Sequence, residues 1–154
     1  MQHLASPEDR KFMLEALAEA CLAAREGEIP VGAVLVQDGA IIARNHNRRE
    51  QNHDATAHAE ILVIQEACRK LKKWRLTDTT LYVTLEPCPM CSGAIWNARI
   101  GRLVYGAFDS AAGACGSLFQ IPLNPALHGK TEIVAGVEEA ACKKILQDFL
   151  KERR

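Results

Sequence analysis

Apolar positions recur at helical spacing through the first part of the chain and then change period. Met13, Leu17, Ala20, Cys21 and Ala24 fall three or four residues apart behind Ser6-Pro7-Glu8-Asp9. That quartet predicts a helix start: Ser6 can cap free N–H groups, Pro7 suits the first helical position, and Asp9 stands where a capping box wants an acid. Gly27 ends the run. "VGAVLVQ" (31–37) and "AIIAR" (40–44) are short apolar runs split by Asp38-Gly39, the pattern of a β-hairpin. A polar loop over 45–53 leads into a second helix over 55–71. "TLYVTL" (80–85) reads as a buried strand, a short helix follows over 87–98, and "RLVYGAF" (102–108) is a fourth strand. After a Gly/Ala/Ser loop (109–117) and a proline-bearing loop (121–130), "TEIVAG" (131–136) is a fifth strand. "EEAACKKILQDFLKERR" (138–154) closes the chain as an amphipathic helix.

Strands alternating with helices predict an α/β fold, a three-layer α/β/α sandwich around a central mixed five-stranded sheet. The first pair is antiparallel by its turn; the later strand–helix–strand units want right-handed parallel crossovers. With 154 residues and no repeat, low-complexity segment or linker, 1–154 is expected to be a single domain.

Composition changes this picture little. Hydrophobic residues make up 48% and charged residues 25%, as in an ordinary globular protein. No apolar run is long enough to span a membrane, and "MQHLASPEDRK" lacks the basic and apolar regions of a secretory signal, so a cytoplasmic location is expected. Six cysteines in such a chain are expected to be reduced thiols. Cys21, Cys68 and Cys142 lie among alanines and leucines and are expected to be small buried hydrophobes, while Cys115 sits in a Gly/Ala loop with its role open. The formal net charge is zero, so nothing global points to nucleic acid. Three local runs are basic: "RNHNRRE" (44–50), "RKLKKWR" (69–75) with five cations and no acid, and "KKILQDFLKERR" (143–154) with five bases against two acids. Taken alone, each is a solvated face.

"LEPCPMCSGA" (85–94) sets two cysteines three positions apart behind a proline. If Pro87 opens a helix, Cys88 lies in its first turn with Cys91 one turn on, both near the positive end of the helix dipole, which favours thiolate. Such a pair is a disulfide, a redox couple or half a metal site. A redox couple wants the first βα unit, whereas this pair follows a mid-chain strand. "DATAHAEI" (54–61) offers a third ligand: His58 in the first turn of the preceding helix, after Thr56 as a cap, with Glu60 two positions on. Two helices on one sheet face, starting at one sheet edge, would set His58 beside Cys88 and Cys91. Three protein ligands with the fourth position left to water distinguish catalytic from structural zinc. His46, His53 and His128 are the rival fourth ligands, each read first as an exposed polar residue. Two thiolates neutralise the charge of zinc, so a nearby carboxylate has to help deprotonate water, and Glu60 is the candidate.

"HAE", a strand and "PCPMC", with His58 and Cys88 30 positions apart, form the H-x-E…P-C-x-x-C signature of zinc nucleobase deaminases. At these residues the chain resembles the cytidine-deaminase-like superfamily, and within it the bacterial tRNA-specific adenosine deaminases. The resemblance extends over "IPVGAVLV" (29–36), "TLYVTLEPCPMC", "ARIGRLVYGA", "DSAAGACGS" (109–117) and the closing helix. It implies one Zn2+ per subunit on His58, Cys88 and Cys91, with Glu60 as catalytic proton shuttle. It implies Asn47 as a hydrogen-bond partner of the target base and Asp109 beside the incoming nucleotides. It also implies hydrolysis of the wobble adenosine of a tRNA anticodon stem-loop to inosine, with phosphates contacted by "RNHNRRE" and the terminal helix, and a homodimer to which Ile95 and Trp96 add apolar surface. The chain departs from the family at Ala55 (usually proline), Phe108 (commonly arginine), Cys115 (commonly alanine) and "PALHGK" (125–130). Two other readings stand beside this one: a guanine, cytosine or small-nucleoside deaminase of the same fold, and a structural-zinc RNA-binding module without catalysis.

Overall fold

A computed structural model describes residues 4–153; Arg154, which ends the closing basic run, lies outside them. Helix α1 (Pro7–Arg25) starts with the expected capping box: Ser6 Oγ accepts from the Asp9 N–H at 3.2 Å and Asp9 Oδ2 accepts from the Ser6 N–H at 2.9 Å. Its inward stripe is Phe12, Met13, Ala16, Ala20 and Ala23, so Leu17 is only half-buried and Cys21 is exposed, against expectation. Alanine-rich turns carry little directional signal. Phe12, packed at a tilt against Tyr82 with ring centres 5.3 Å apart, fixes the rotation instead. Cys68 is partly buried and Cys142 fully buried.

Strands β1 (Gly32–Gln37) and β2 (Ala40–His46) form the hairpin, with Asp38 and Gly39 both left-handed (φ 51° and 76°) as a type I′ turn requires. The polar stretch after β2, expected as loop, contains a single helical turn, α2 (Arg49–Asn52). Helix α3 (Ala59–Leu71) begins four residues later than the sequence suggests. The N–H and hydroxyl of Thr56 donate to Asp54 Oδ1 at 2.8 and 2.7 Å, so Thr56 closes a local turn rather than capping the helix. Strand β3 (Thr79–Leu85), helix α4 (Pro89–Asn97), strands β4 (Arg102–Ala107) and β5 (Glu132–Ala135) and helix α5 (Glu139–Glu152) complete the fold. Pro89, not Pro87, occupies the first position of α4.

The sheet order is β2-β1-β3-β4-β5. Strand β1 is antiparallel to both neighbours, while β3–β4 and β4–β5 pair in parallel, which makes the sheet mixed. Successive strand residues serve opposite faces. Val34, Tyr82 and Val104 meet Phe12, Met13 and Cys142 of α1 and α5; Leu35, Leu81 and Leu103 meet Val63, Ala67 and Ile95 of α3 and α4. The two helical layers and the sheet make the α/β/α sandwich. Strand β1 runs so close to α1 at Gly32 that a Cβ there would collide with the Ala16 carbonyl oxygen. No described helix is long and apolar enough to cross a membrane.

Asp9 ties the first helix to the sheet. It is fully buried, and Arg102 grips both its oxygens at 2.5 and 2.7 Å while the Tyr82 hydroxyl donates to Oδ1 at 2.9 Å. Burial pushes the Asp9 carboxyl up, but Arg102, the Ser6 N–H and Tyr82 together outweigh it and hold it at about 2, against an ordinary 3.8. A carboxyl depressed in the folded chain stabilises fully above its unfolded pKa, and the contribution, about 2 kcal/mol, is lost as pH falls through the folded value. An Asp9→Asn chain is therefore expected to be less stable than wild type at pH 6, with the gap closing by about 2 kcal/mol at pH 2. Urea unfolding at both pH values checks this; a gap independent of pH refutes the depressed carboxyl.

Candidate active site

Because β2 through β5 run one way and β1 the other, the ends of β2, β3 and β4 and the start of β1 meet at one edge of the sheet. Ligand sites of open α/β sheets form at such an edge. Helices α3 and α4 both begin there on the same face. His58 occupies the N-cap position of α3 and Cys88 that of α4, each with extended backbone, and Cys91 lies in the first turn of α4. The expectation that His58 and Cys88 sit inside the first turn is corrected by one step: they precede it.

His58 Nδ1 stands 3.6 Å from Cys88 Sγ and 3.4 Å from Cys91 Sγ, and the three ligand atoms all lie within 4.8 Å of one another. Zn–N and Zn–S bonds of about 2.0–2.1 and 2.3 Å at tetrahedral angles give N···S edges of about 3.5 Å, so the donors fit that ion in both chemistry and spacing. Among the described residues no other His, Cys, Asp or Glu joins this group. His53 and His128 are exposed. His46 is fully buried instead, its ring held between Glu19 Oε1 at 3.0 Å and Glu26 Oε2 at 2.8 Å.

Hydrogen bonding from Cys91, then from His58, holds the Cys88 thiol down at about 3. The same contact, with burial, pushes Cys91 up. His58 is raised by its bond to Cys88. Glu60, only 3% exposed, is in hydrogen-bond contact with Cys91, and burial pushes its carboxyl up. A carboxyl so placed exchanges a proton more readily near neutrality than an exposed one.

These groups form one wall of a cleft of about 170 Å³ that Ile29, Val31, Asn47, Leu85 and Asp109 also line. A cavity of about 150 Å³ accommodates a benzene ring, so this one is scaled to a single heterocycle. Asn47 is held rigidly, its Nδ2 donating to the Ile29 carbonyl at 3.2 Å and its Oδ1 accepting from the Arg49 N–H at 3.2 Å. One amide N–H and one lone pair remain for a ligand. Asp109 Oδ1 accepts the N–H groups of Ala111 and Ala112 at 3.0 and 3.2 Å, which turns the following loop.

Sequence reasoning missed Glu86. Its buried carboxylate accepts from the N–H groups of Asp109 (3.1 Å), Cys115 (3.2 Å) and Ser117 (2.9 Å), and from the Ser117 hydroxyl. One side chain adjoining Pro87-Cys88 thus fastens the whole 109–117 loop to the turn that carries the thiols. The loop approaches so closely at Gly113 that a Cβ would overlap the Glu86 carboxylate. The available signal was an acid at the end of an apolar strand, followed downstream by a Gly-rich loop with N–H groups to satisfy. Cys115, left open by the sequence, is a packing thiol. It contacts Ser92 Oγ at 3.1 Å, and burial pushes it up to about 12.

Residues 7–154 match the family described as MafB19-like deaminase. The chain is 48% identical over 147 residues to the tRNA-specific adenosine deaminase of Bacillus subtilis, covering 96% of this chain and 91% of that one. A solved structure from studies of A-to-I editing by tRNA:A34 deaminases at the wobble position of transfer RNA superposes with a TM-score of 0.85 at 48% identity, over 88% of this chain and 99% of its own. The guanine deaminase of Nitrosomonas europaea superposes with a TM-score of 0.78 at 25% identity, over 96% of this chain and 86% of its own.

Proposed function

The chain belongs to the MafB19-like deaminases and, within them, to the tRNA-specific adenosine deaminases, and from that premise we propose that it hydrolyses the wobble adenosine of a tRNA anticodon to inosine. The observation that carries the chemistry is the meeting of His58, Cys88 and Cys91 beside the buried Glu60 in a cleft the size of one base. In this reading the three residues hold one Zn2+ per subunit, as their mixed imidazole and thiolate donors favour. When bound, zinc acts as a Lewis acid that makes water a competent nucleophile near neutral pH. The chain's own residues do the rest. A Glu60 carboxylate oxygen takes a proton from the attacking water and returns it to N1 of the ring; it then takes the proton of the hydroxyl added at C6 and passes it to the amine, which leaves as ammonia while the C6 carbonyl forms. Asn47, fixed by its two backbone bonds, presents its remaining amide N–H and lone pair to the base edge. Asp109 borders the nucleotides that flank it.

The cleft excludes a stacked base, so the target nucleotide has to be splayed from a single-stranded loop, as an anticodon loop permits. A neighbouring groove of about 290 Å³ shares Ile29, Asn47 and Arg49 with the cleft and continues to Phe149 and Arg153, whose guanidinium lies 4.1 Å from the Phe149 ring centre. This supports phosphate contacts from Arg49 of the 44–50 run and from Arg153 at the end of the terminal helix, whose cations line one groove. The whole of 1–154 serves this one domain, in the cytoplasm, and the subunit pairs as a homodimer. Ile95, expected to add apolar surface to that pairing, is instead fully buried in the core, and exposed Leu118, Phe119 and Leu123 on the long β4–β5 connection supply it.

The likeness to a guanine deaminase keeps a second substrate in view. Incubation with an anticodon stem-loop bearing wobble adenosine, with free guanine and with free cytidine, separates the readings. Ammonia and inosine are expected from the RNA alone. Turnover of free guanine alone overturns the tRNA assignment, and RNA binding without ammonia release overturns the enzyme.

A further inference from the structure

A second cleft, about 670 Å³, lies at the other pole of the sheet, against the segments that precede β3, β4 and β5. Arg75, Arg99, His128 and Lys130 line it together with Trp96 and Leu127, and no acidic side chain does. Two planar cations there are already stacked on indoles: the Arg75 guanidinium lies 4.6 Å from the Trp74 ring centre and that of Arg99 4.8 Å from Trp96. Arg99 Nη1 also donates to the Trp96 carbonyl at 2.7 Å and so helps to close α4. Arg75 and Lys130 are exposed and form no ion pair among the described residues.

The chain carries no net charge, so cations gathered at one pole have a local cause. The C-terminal dipole of α3 accounts for Arg69 and Lys70 in its last turn. It does not account for Arg75, beyond the helix end, or for Lys130, which the β4–β5 connection brings in from another part of the chain. Cations alternating with aromatic and apolar surface are what a nucleic-acid backbone requires.

We infer that this cleft is a second RNA-contact site, which grips backbone phosphates of the substrate tRNA outside its anticodon stem-loop; the inference rests on the substrate reading given above. The catalytic cleft sits where α3 and α4 begin and this one where they end. Strands of six or seven residues at about 3.3 Å each set the two roughly 20 Å apart. A loop seated in the catalytic cleft does not fill both, so the distal cleft takes RNA that lies beyond that loop.

The test is the double variant Arg75→Glu/Lys130→Glu, which touches neither the catalytic cleft nor the cap of α4. Binding of full-length tRNA is expected to weaken about tenfold at 0.1 M salt, and the slope of log Kd against log salt to fall by about two, one for each phosphate contact removed. Deamination of the isolated anticodon stem-loop is expected to be unchanged, which also certifies the fold. Unaltered tRNA affinity and salt slope overturn the inference. An equal loss on the stem-loop overturns it too, by showing a general charge effect. A wild-type chain that binds tRNA but deaminates no stem-loop refutes the substrate reading instead, and the binding arms still decide the cleft.

Discussion

Replacing Glu60 with alanine is expected to leave the metal in place and to lower inosine formation by about 10²–10⁴-fold, the range that a positioned acid–base group contributes. The side chain touches Cys91 but is not among the converging donors His58, Cys88 and Cys91, so metal content measured by atomic absorption should match wild type. Nor does it belong to the groove that runs on to Phe149 and Arg153, so KM for the RNA should hold while kcat falls. Stability should change little, because a carboxyl that burial already disfavours in its charged form contributes little by being there. Single-turnover kinetics on the stem-loop, beside metal analysis of the same sample, decides the matter. Retained turnover removes the shuttle role, and loss of metal shows that Glu60 belongs to the ligand set.

The sheet and its long helices were legible because their apolar periods of two and 3.6 are local properties. The convergence of His58, Cys88 and Cys91 was legible for a related reason: each lies at a helix start that follows a sheet strand, and strands running the same way bring such starts to one edge. What escaped was set by contacts from far along the chain. Helix α2 has no apolar stripe and exists because the Glu28 carboxylate accepts the N–H groups of Glu50 and Gln51 at 3.0 and 2.9 Å. His46, a polar residue at the end of a strand, is buried only because two glutamates from α1 and the turn after it close on its ring. The bonds from Glu86 to the 109–117 loop span more than 20 residues, and no periodicity encodes them. The delayed start of α3 turned on Asp54 taking the Thr56 hydroxyl, one of two local hydrogen-bonding schemes the same residues allow.

Cys88→Ala should produce the larger loss, abolishing metal binding and turnover together. Cys88 is the thiol that its neighbours hold at about 3, so it is a thiolate at neutral pH before any cation arrives. Cys91 is pushed the other way by the same hydrogen bond and by burial. Removing Cys88 therefore removes the thiolate the site forms readily, leaving one imidazole and the Cys91 thiol, whose charged form burial still disfavours. Two such donors do not hold zinc against the solvent, whereas three with an open fourth position do. Metal content is expected to fall at least tenfold, and inosine formation to drop below detection. Wild type loaded with zinc gains stability by mass action, about 2.7 kcal/mol at a free concentration of 100 Kd, and the variant forfeits it. Thermal unfolding checks this independently of activity: a chelator should bring the wild-type Tm down to that of Cys88→Ala and leave the variant's unchanged. A variant that keeps one zinc per subunit would show that the cation is held elsewhere, and the hydrolytic reading of this cleft would fall with it.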